Sequence, residues 1–438
     1  MPGYPSESHV TVHPFDRRSE GDSVTIGDME RQVFLSVPAE GVDVLDWLAD
    51  GRTVGEAARL YEEKYGESLD IEDFLQAMEL EGFLTPGNGQ VVAADRGDRF
   101  GGHGSDAHGH DAHGHRHAHL LDGHLSRVSP RLARRFFGRT ALTFYGILIA
   151  AALVLVVLDP DLVPGSTALV FPHDFALLSW ITFVVAIGGV LVHEVAHVLA
   201  ARAVGIPATI GLGNQLYIPV AQTDMTGIWM APKRARYLGF LSGAIVDAVF
   251  AALLIYVQWA DRQGWIELSA TAMLLLRGIL FTYLARILWQ CFLFLRTDFY
   301  YTIATALNCN SLLTDTEDYL RNFLVRLRLS KLWTDQSGLP RHEMRAVRMY
   351  SVLWLGGRVT AIGALIVITL PLLGAYFAGV WTYMTGGETR FGFFDFVTAV
   401  VLGIGLTMLG LVLWARNIYE IRRQRRARTR AAEAIAQR

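Results

Sequence analysis

Six apolar stretches, at 141–158, 175–200, 237–259, 271–295, 359–380 and 393–414, constrain this 438-residue chain more than anything else in it. Each approaches the ~20 residues that a helix needs to cross the hydrocarbon core of a bilayer. In lipid every backbone N–H and C=O has to be paired within the segment, so runs of this kind are expected to be spanning helices. The expected fold class is therefore mainly α: a polytopic membrane protein with about six transmembrane helices. Basic residues cluster before the first stretch (Arg131, Arg134, Arg135, Arg139), after the second (Lys233, Arg234, Arg236), through a long loop after the fourth (321–358) and at the end of the chain (422–430). The other connections carry few. The positive-inside rule then puts both termini in the cytoplasm, with the lipid bilayer as the first partner. Attraction to anionic headgroups accounts for the basic loop and tail, and no nucleic acid is needed to explain them. The first hundred residues hold no short apolar core behind a basic start, so the first spanning stretch is expected to direct insertion.

Within the second stretch lies L-V-H-E-V-A-H-V-L-A-A, beginning at Leu191. On a helix His193 and His197 fall one turn apart on the same face, where two imidazoles can hold one metal ion. Glu194 sits beside them, in the position of a general base for water on a zinc ion. The plainer alternative is a buried group of histidines and a glutamate that satisfy one another. Ionisable side chains within an apolar span are costly, and that cost favours function. A further ligand has to come from elsewhere, because Arg202-Ala203-Val204-Gly205 follows and holds no third histidine. Cys291 and Cys309, the two cysteines, have no metal-site spacing and read as packing residues.

Residues 1–87 differ from the rest in charge. They hold 19 Asp and Glu against 6 Lys and Arg, leaving 23 acidic and 33 basic residues for the remainder. Val10–Val12 and the segment 33–37 alternate like short strands, and three helical patterns follow. Val42, Leu45 and Leu48 give the first its apolar face. Thr53 and Glu56 make a capping-box pattern for the second, and Asp70 caps a third carrying Phe74, Leu75 and Met78, with Gly82 as its stop. Phe83 and Leu84 close the unit. This order, with D-W-L-A-D-G-R-T-V-G-E-A-A and L-E-G-F-L, resembles the PqqD-like domains, and that resemblance implies a small α+β, winged-helix-like fold that binds the leader peptide of a ribosomally made product. The competing roles are DNA binding, which the acidic excess disfavours because a DNA-binding face needs basic residues, and a regulatory cap. Residues 88–130 form a linker whose 101–124 segment carries eight histidines and almost nothing apolar. It reads as a flexible tether, with weak metal binding and local zinc loading as its functional alternative.

In the third part, 131–438, residues 208–230 are too polar and broken to cross a membrane. G-L-G-N-Q-L-Y-I-P-V and T-G-I-W-M suggest a hairpin near the membrane, whose open edge would receive an extended peptide. R-T-D-F-Y-Y then places Asp298 at the end of the fourth stretch, level with the two histidines. Two histidines and a carboxylate make a zinc site with the fourth position left for water. H-E-V-A-H, P-K-R-A-R-Y-L-G-F-L-S-G-A-I-V-D and R-T-D-F-Y-Y together resemble the site-2 protease (M50) family of intramembrane zinc metalloproteases, especially its peptide-maturation-like branch. The resemblance covers the second to fourth stretches. It implies metal ligands His193, His197 and Asp298, catalytic Glu194, Zn2+ as cofactor, and a peptide or transmembrane-segment substrate. The family's Asn-x-x-Pro-x-x-x-Leu-Asp-Gly pattern is degraded, with Gln290, Leu293, Thr297 and Phe299 standing where Asn, Pro, Leu and Gly are expected. Asp247, about ten residues into the third stretch and so ~15 Å deep, is expected to be second-shell or substrate-orienting; its alternative is a hydrogen bond that only fixes helix packing. The expected activity is that of a zinc metalloendopeptidase. Zinc transport and a catalytically silent peptide-binding protein that uses only the head are the other classes, and Glu194 discriminates between the endopeptidase and the transporter.

Overall fold

The computed structural model describes residues 4–20, 23–28, 33–86, 129–215, 218–309, 311–329, 333–336, 339, 341–386 and 392–406, with 408, 409, 412, 415, 416 and 419. The histidine-rich linker segment and the arginine-rich end lie outside the described residues. The chain divides into two compact units, 1–116 with 226–233, and 117–225 with 234–438.

The first unit is α+β. Strand β1 (Val10–Val12) is followed by β2 (Asp16–Glu20), β3 (Ser23–Asp28) and β4 (Val33–Pro38), the last three forming one antiparallel sheet in the order β2-β3-β4. Val24 and Ile26 pair in register with Val37 and Leu35, so one face of the sheet is apolar. Onto it pack Val42, Leu45 and Leu48 of α1 (Ala39–Ala49), Ala57 of α2 (Val54–Tyr65) and Leu75 and Met78 of α3 (Ile71–Leu80). The start of α2 is a full capping box: the Thr53 hydroxyl accepts from the Glu56 N–H (3.3 Å) and the Glu56 carboxylate accepts from the Thr53 N–H (3.0 Å). Asp70 accepts from the Asp73 N–H at the start of α3. Gly82, at φ 78°, turns the chain out of α3, and β5 (Leu84–Pro86) then pairs with β1. Strand β2, D-R-R-S-E, has no apolar alternation to announce it. Its pairing with β3 makes it a strand.

The second unit is helical. A short α4 (Pro130–Phe137), capped by Ser129, leads into α5 (Arg139–Leu158), followed by α6 (Phe175–Ala203). A hairpin, β6 (Thr209–Gln215) and β7 (Ile218–Asp224), precedes α7 (Lys233–Arg262) and α8 (Ala270–Gln290). Then come α9 (Asp298–Leu307), α10 (Leu312–Arg326), α11 (Arg341–Ala364), α12 (Leu370–Met384) and α13 (Phe393–Thr398). Among the described residues, five helical runs are long and apolar enough to cross a membrane: Pro130–Leu158, Phe175–Ala203, Lys233–Arg262, Ala270–Gln290 and Arg341–Met384. On α5, Phe144, Ile147, Leu153, Val154, Val157 and Leu158 are each more than half exposed, an apolar surface that hydrocarbon accommodates and water does not.

The sixth stretch is helical over Phe393–Gly405 and at the described residues 406, 408, 409 and 412, and the rest of it lies outside the described residues. Two expectations are corrected. The basic loop after the fourth stretch is in large part helix, because α10 lies in it and α11 begins at Arg341 and runs on through a π turn (Leu365–Thr369) into the fifth span. Hydropathy locates the apolar middle of such a helix and is blind to its polar first turns. Asp298 does not end the fourth span: α8 stops at Gln290, and Asp298 is the first residue of α9.

Candidate metal centre

Helix α6 buries one face over its first turns, at Phe175, Leu178, Ser179 and Thr182, and is buried almost all round toward its C-terminal end, at His193, Glu194, Ala196, His197, Val198, Ala200 and Ala201. The apolar run makes the helix; the buried segment brings its polar residues against α7 and α9. His193 Nε2 lies 3.2 Å and His197 Nε2 3.3 Å from the Asp298 Oδ2, and the two Nε2 atoms lie 3.2 Å from each other. Among the described residues this is the one group of histidine and acidic side chains that could hold a metal ion.

The outer nitrogens determine what the inner ones carry. His197 Nδ1 lies 2.8 Å from the Gly239 carbonyl oxygen, which only accepts, so the hydrogen is on Nδ1. Ser242, on the same turn of α7, donates to that carbonyl (2.9 Å). His193 Nδ1 lies 2.8 Å from Asp247 Oδ2 and donates to it. In the neutral tautomer each Nε2 then presents a lone pair toward the Asp298 carboxylate, which puts three possible ligand atoms 3.2–3.3 Å apart. A metal ion among them would satisfy all three, and a ~2.0–2.2 Å bond to each is compatible with this spacing. The donor set therefore fits a metal ion.

Close approach matters at Gly243. A Cβ there would come within 2.4 Å of His193 Nε2, so the absence of a side chain on this turn of α7 lets the imidazole stand where it does.

Asp298 owes its place to the start of α9. Thr297 caps the helix, accepting from the Tyr300 N–H (3.4 Å) while its hydroxyl donates to the Gln290 carbonyl (3.0 Å). The Asp298 N–H donates to the Gln290 side-chain oxygen (3.0 Å). Gln290 and Thr297, two of the positions that depart from the family pattern, thus hold the candidate ligand. Tyr300 and Tyr301 belong to a different setting: Tyr300 meets Tyr350 and Tyr301 stacks on Phe240 (5.2 Å).

Glu194, one residue along from the first ligand, is buried, and its Oε2 accepts from the Thr223 hydroxyl of β7 (2.7 Å). Asp247 reaches the site from α7 without touching Asp298 or His197 in any contact described above: one oxygen faces His193, and the other accepts from Arg286 Nη2 of α8 (2.8 Å). Thr223 and Arg286 escape a reading of the sequence for different reasons. A threonine on a polar hairpin gives no signal. Arg286 did give one: it is one of two arginines, with Arg277, within an apolar span, where a charged side chain is by default a functional position.

No family model, curated protein or solved structure matches the chain. The class that fold and site define is a largely helical chain with, among the described residues, five helices long and apolar enough to cross a membrane and a largely buried His-His-Asp group that could hold a metal ion.

Proposed function

We propose that this chain is a membrane-embedded zinc endopeptidase whose first unit recognises the peptide to be cut. The observation that carries the reading is the presence of Glu194, buried and held by Thr223, next in sequence to His193 of the His193, His197 and Asp298 cluster. A site that only stores or passes a metal needs the ligands. It does not need an oriented carboxylate beside them. Zinc, when bound, supplies Lewis acidity toward a carbonyl and acidifies water. Glu194 takes the proton of the attacking water and later delivers it to the leaving amine. Thr223 holds one carboxylate oxygen and so aims the other. Hairpin β6–β7 brings Thr223 to the site and offers its open edge to an extended peptide by strand addition. The resemblance to site-2 proteases supports the same assignment, and the PqqD-like pattern of the head supports a peptide leader as its ligand. The positive-inside pattern supports a cytoplasmic side for both termini.

The test is Glu194→Gln in full-length protein reconstituted in liposomes. Zinc content per chain should equal that of the wild type, while cleavage of a fluorogenic peptide library falls by about 10²–10⁴-fold. Wild-type protein without peptidase activity, or a glutamine variant that cleaves at the wild-type rate, removes the assignment.

A further inference from the structure

We infer that Arg286 is a positioning residue for the metal ligand His193, acting through Asp247; the inference rests on the reading of His193, His197 and Asp298 as a zinc site. Three side chains from three helices form the line, His193 and Asp247 buried and Arg286 partly so. Arg286 Nη2 donates to Asp247 Oδ1 at 2.8 Å, and its Nε lies 3.2 Å from both Oδ1 and Oδ2. The guanidinium fork therefore sets the plane of the carboxylate, and the second oxygen of that plane points at His193 Nδ1 (2.8 Å). Asp247 is 1% exposed and cannot trade either partner for water.

The guanidinium is itself held. It lies over the Tyr283 ring, 4.3 Å from its centroid, and Nη1 reaches the Ala186 carbonyl of α6 at 3.5 Å. Gly189, one turn further along α6, leaves the space: a Cβ there would meet Nη2 at 2.8 Å. A histidine ligand needs its non-ligating N–H fixed so that the other nitrogen keeps its direction, and loss of such an outer partner costs metal affinity. In this chain the outer partner has a partner of its own. Lysine would not replace it, because an ammonium is a point charge without a planar pair of donors.

The test is zinc affinity of the full-length chain in detergent, measured by competition with a chromophoric chelator. The Asp298→Ala chain is measured in parallel, so that zinc held elsewhere is subtracted. Arg286→Met and Asp247→Asn should each weaken binding about 10–100-fold. The double variant should be no weaker than the weaker single, since both act along one line; a residue that only packs the helices would give losses that multiply. Arg286→Lys should stay closer to Arg286→Met than to the wild type. Gly189→Ala keeps every helix and moves only the tip of a flexible side chain, so it should weaken zinc with the circular-dichroism melting curve unchanged, and it carries the test if Arg286→Met does not fold. Wild-type affinity in Arg286→Met or Gly189→Ala, a fully functional lysine variant, or multiplying losses would overturn the relay while leaving the zinc site standing. A wild-type chain that takes up no zinc at the three ligands overturns the site and the relay together.

Discussion

His193 and Asp247 show how a residue's role follows from which of its atoms are already engaged. Both histidines spend Nδ1 on an acceptor, a carboxylate for His193 and the Gly239 carbonyl for His197, and both present Nε2 to Asp298. Asp298 and Asp247 are both buried aspartates near the same imidazoles, yet only Asp298 lies within reach of both Nε2 atoms. Asp298→Ala should therefore leave the chain without zinc after a single desalting step. Asp247→Ala should still load fully in excess zinc and turn over slowly. Metal analysis giving the opposite order would exchange the two assignments. Outside the spans, Cys309 is 1% exposed, and burial pushes its thiol up to about 12. The thiolate is the reactive form, so at pH 8 only about one molecule in ten thousand is reactive. A Cys291→Ser chain should thus resist alkylation when folded and label quickly in denaturant; rapid labelling of the folded chain would contradict that burial.

At the level of elements, the site depends on where helices begin and end. α8 stops at Gln290, and the chain turns through 291–297 before α9 opens on Asp298. The turn places the candidate ligand at a helix N-terminus, where the free N–H groups and the dipole favour a carboxylate. Thr297 joins the two helices by capping one and donating to the last residue of the other. Loss of a cap costs about 1 kcal/mol, and if that energy serves to hold Asp298, Thr297→Ala should weaken zinc by about five-fold, well short of removing it. Chelator competition measures this, and an unchanged affinity would mean that Gln290 alone fixes the ligand. In the head, by contrast, the capping box of α2 and the Asp70 cap of α3 serve the fold and lie in a unit whose core is built from its own residues.

On the scale of the whole chain, two units with different composition imply a division of labour. The head closes its own core over Ile26, Leu45, Leu75 and Leu84, and the ligand cluster draws only on residues of the second unit. Deleting residues 1–87 should leave zinc content unchanged and weaken capture of the peptide substrate, measured as a rise in KM with kcat retained. An unchanged KM would remove the recognition role and leave the head as a cap. The net charge of −3 conceals the acidic head and the basic remainder that make this division visible in the sequence.

Local chemistry was legible in the sequence because it repeats with the period of an element. The spacing of His193 and His197, the apolar runs, the Thr53–Glu56 capping box and the Asp70 cap all depend on residues within one helix or its first turn. What depends on chain segments far apart was decided only by the tertiary structure. Strand β2 exists because β3 pairs with it. Thr223 meets Glu194 because a hairpin packs on α6, and Arg286 of α8 meets Asp247 of α7 where Gly189 of α6 leaves room for the guanidinium. Helical and strand periodicities fix which face a residue occupies along its own element. They carry no information about which other element that face will meet, and the partners of a buried charge are determined by that meeting.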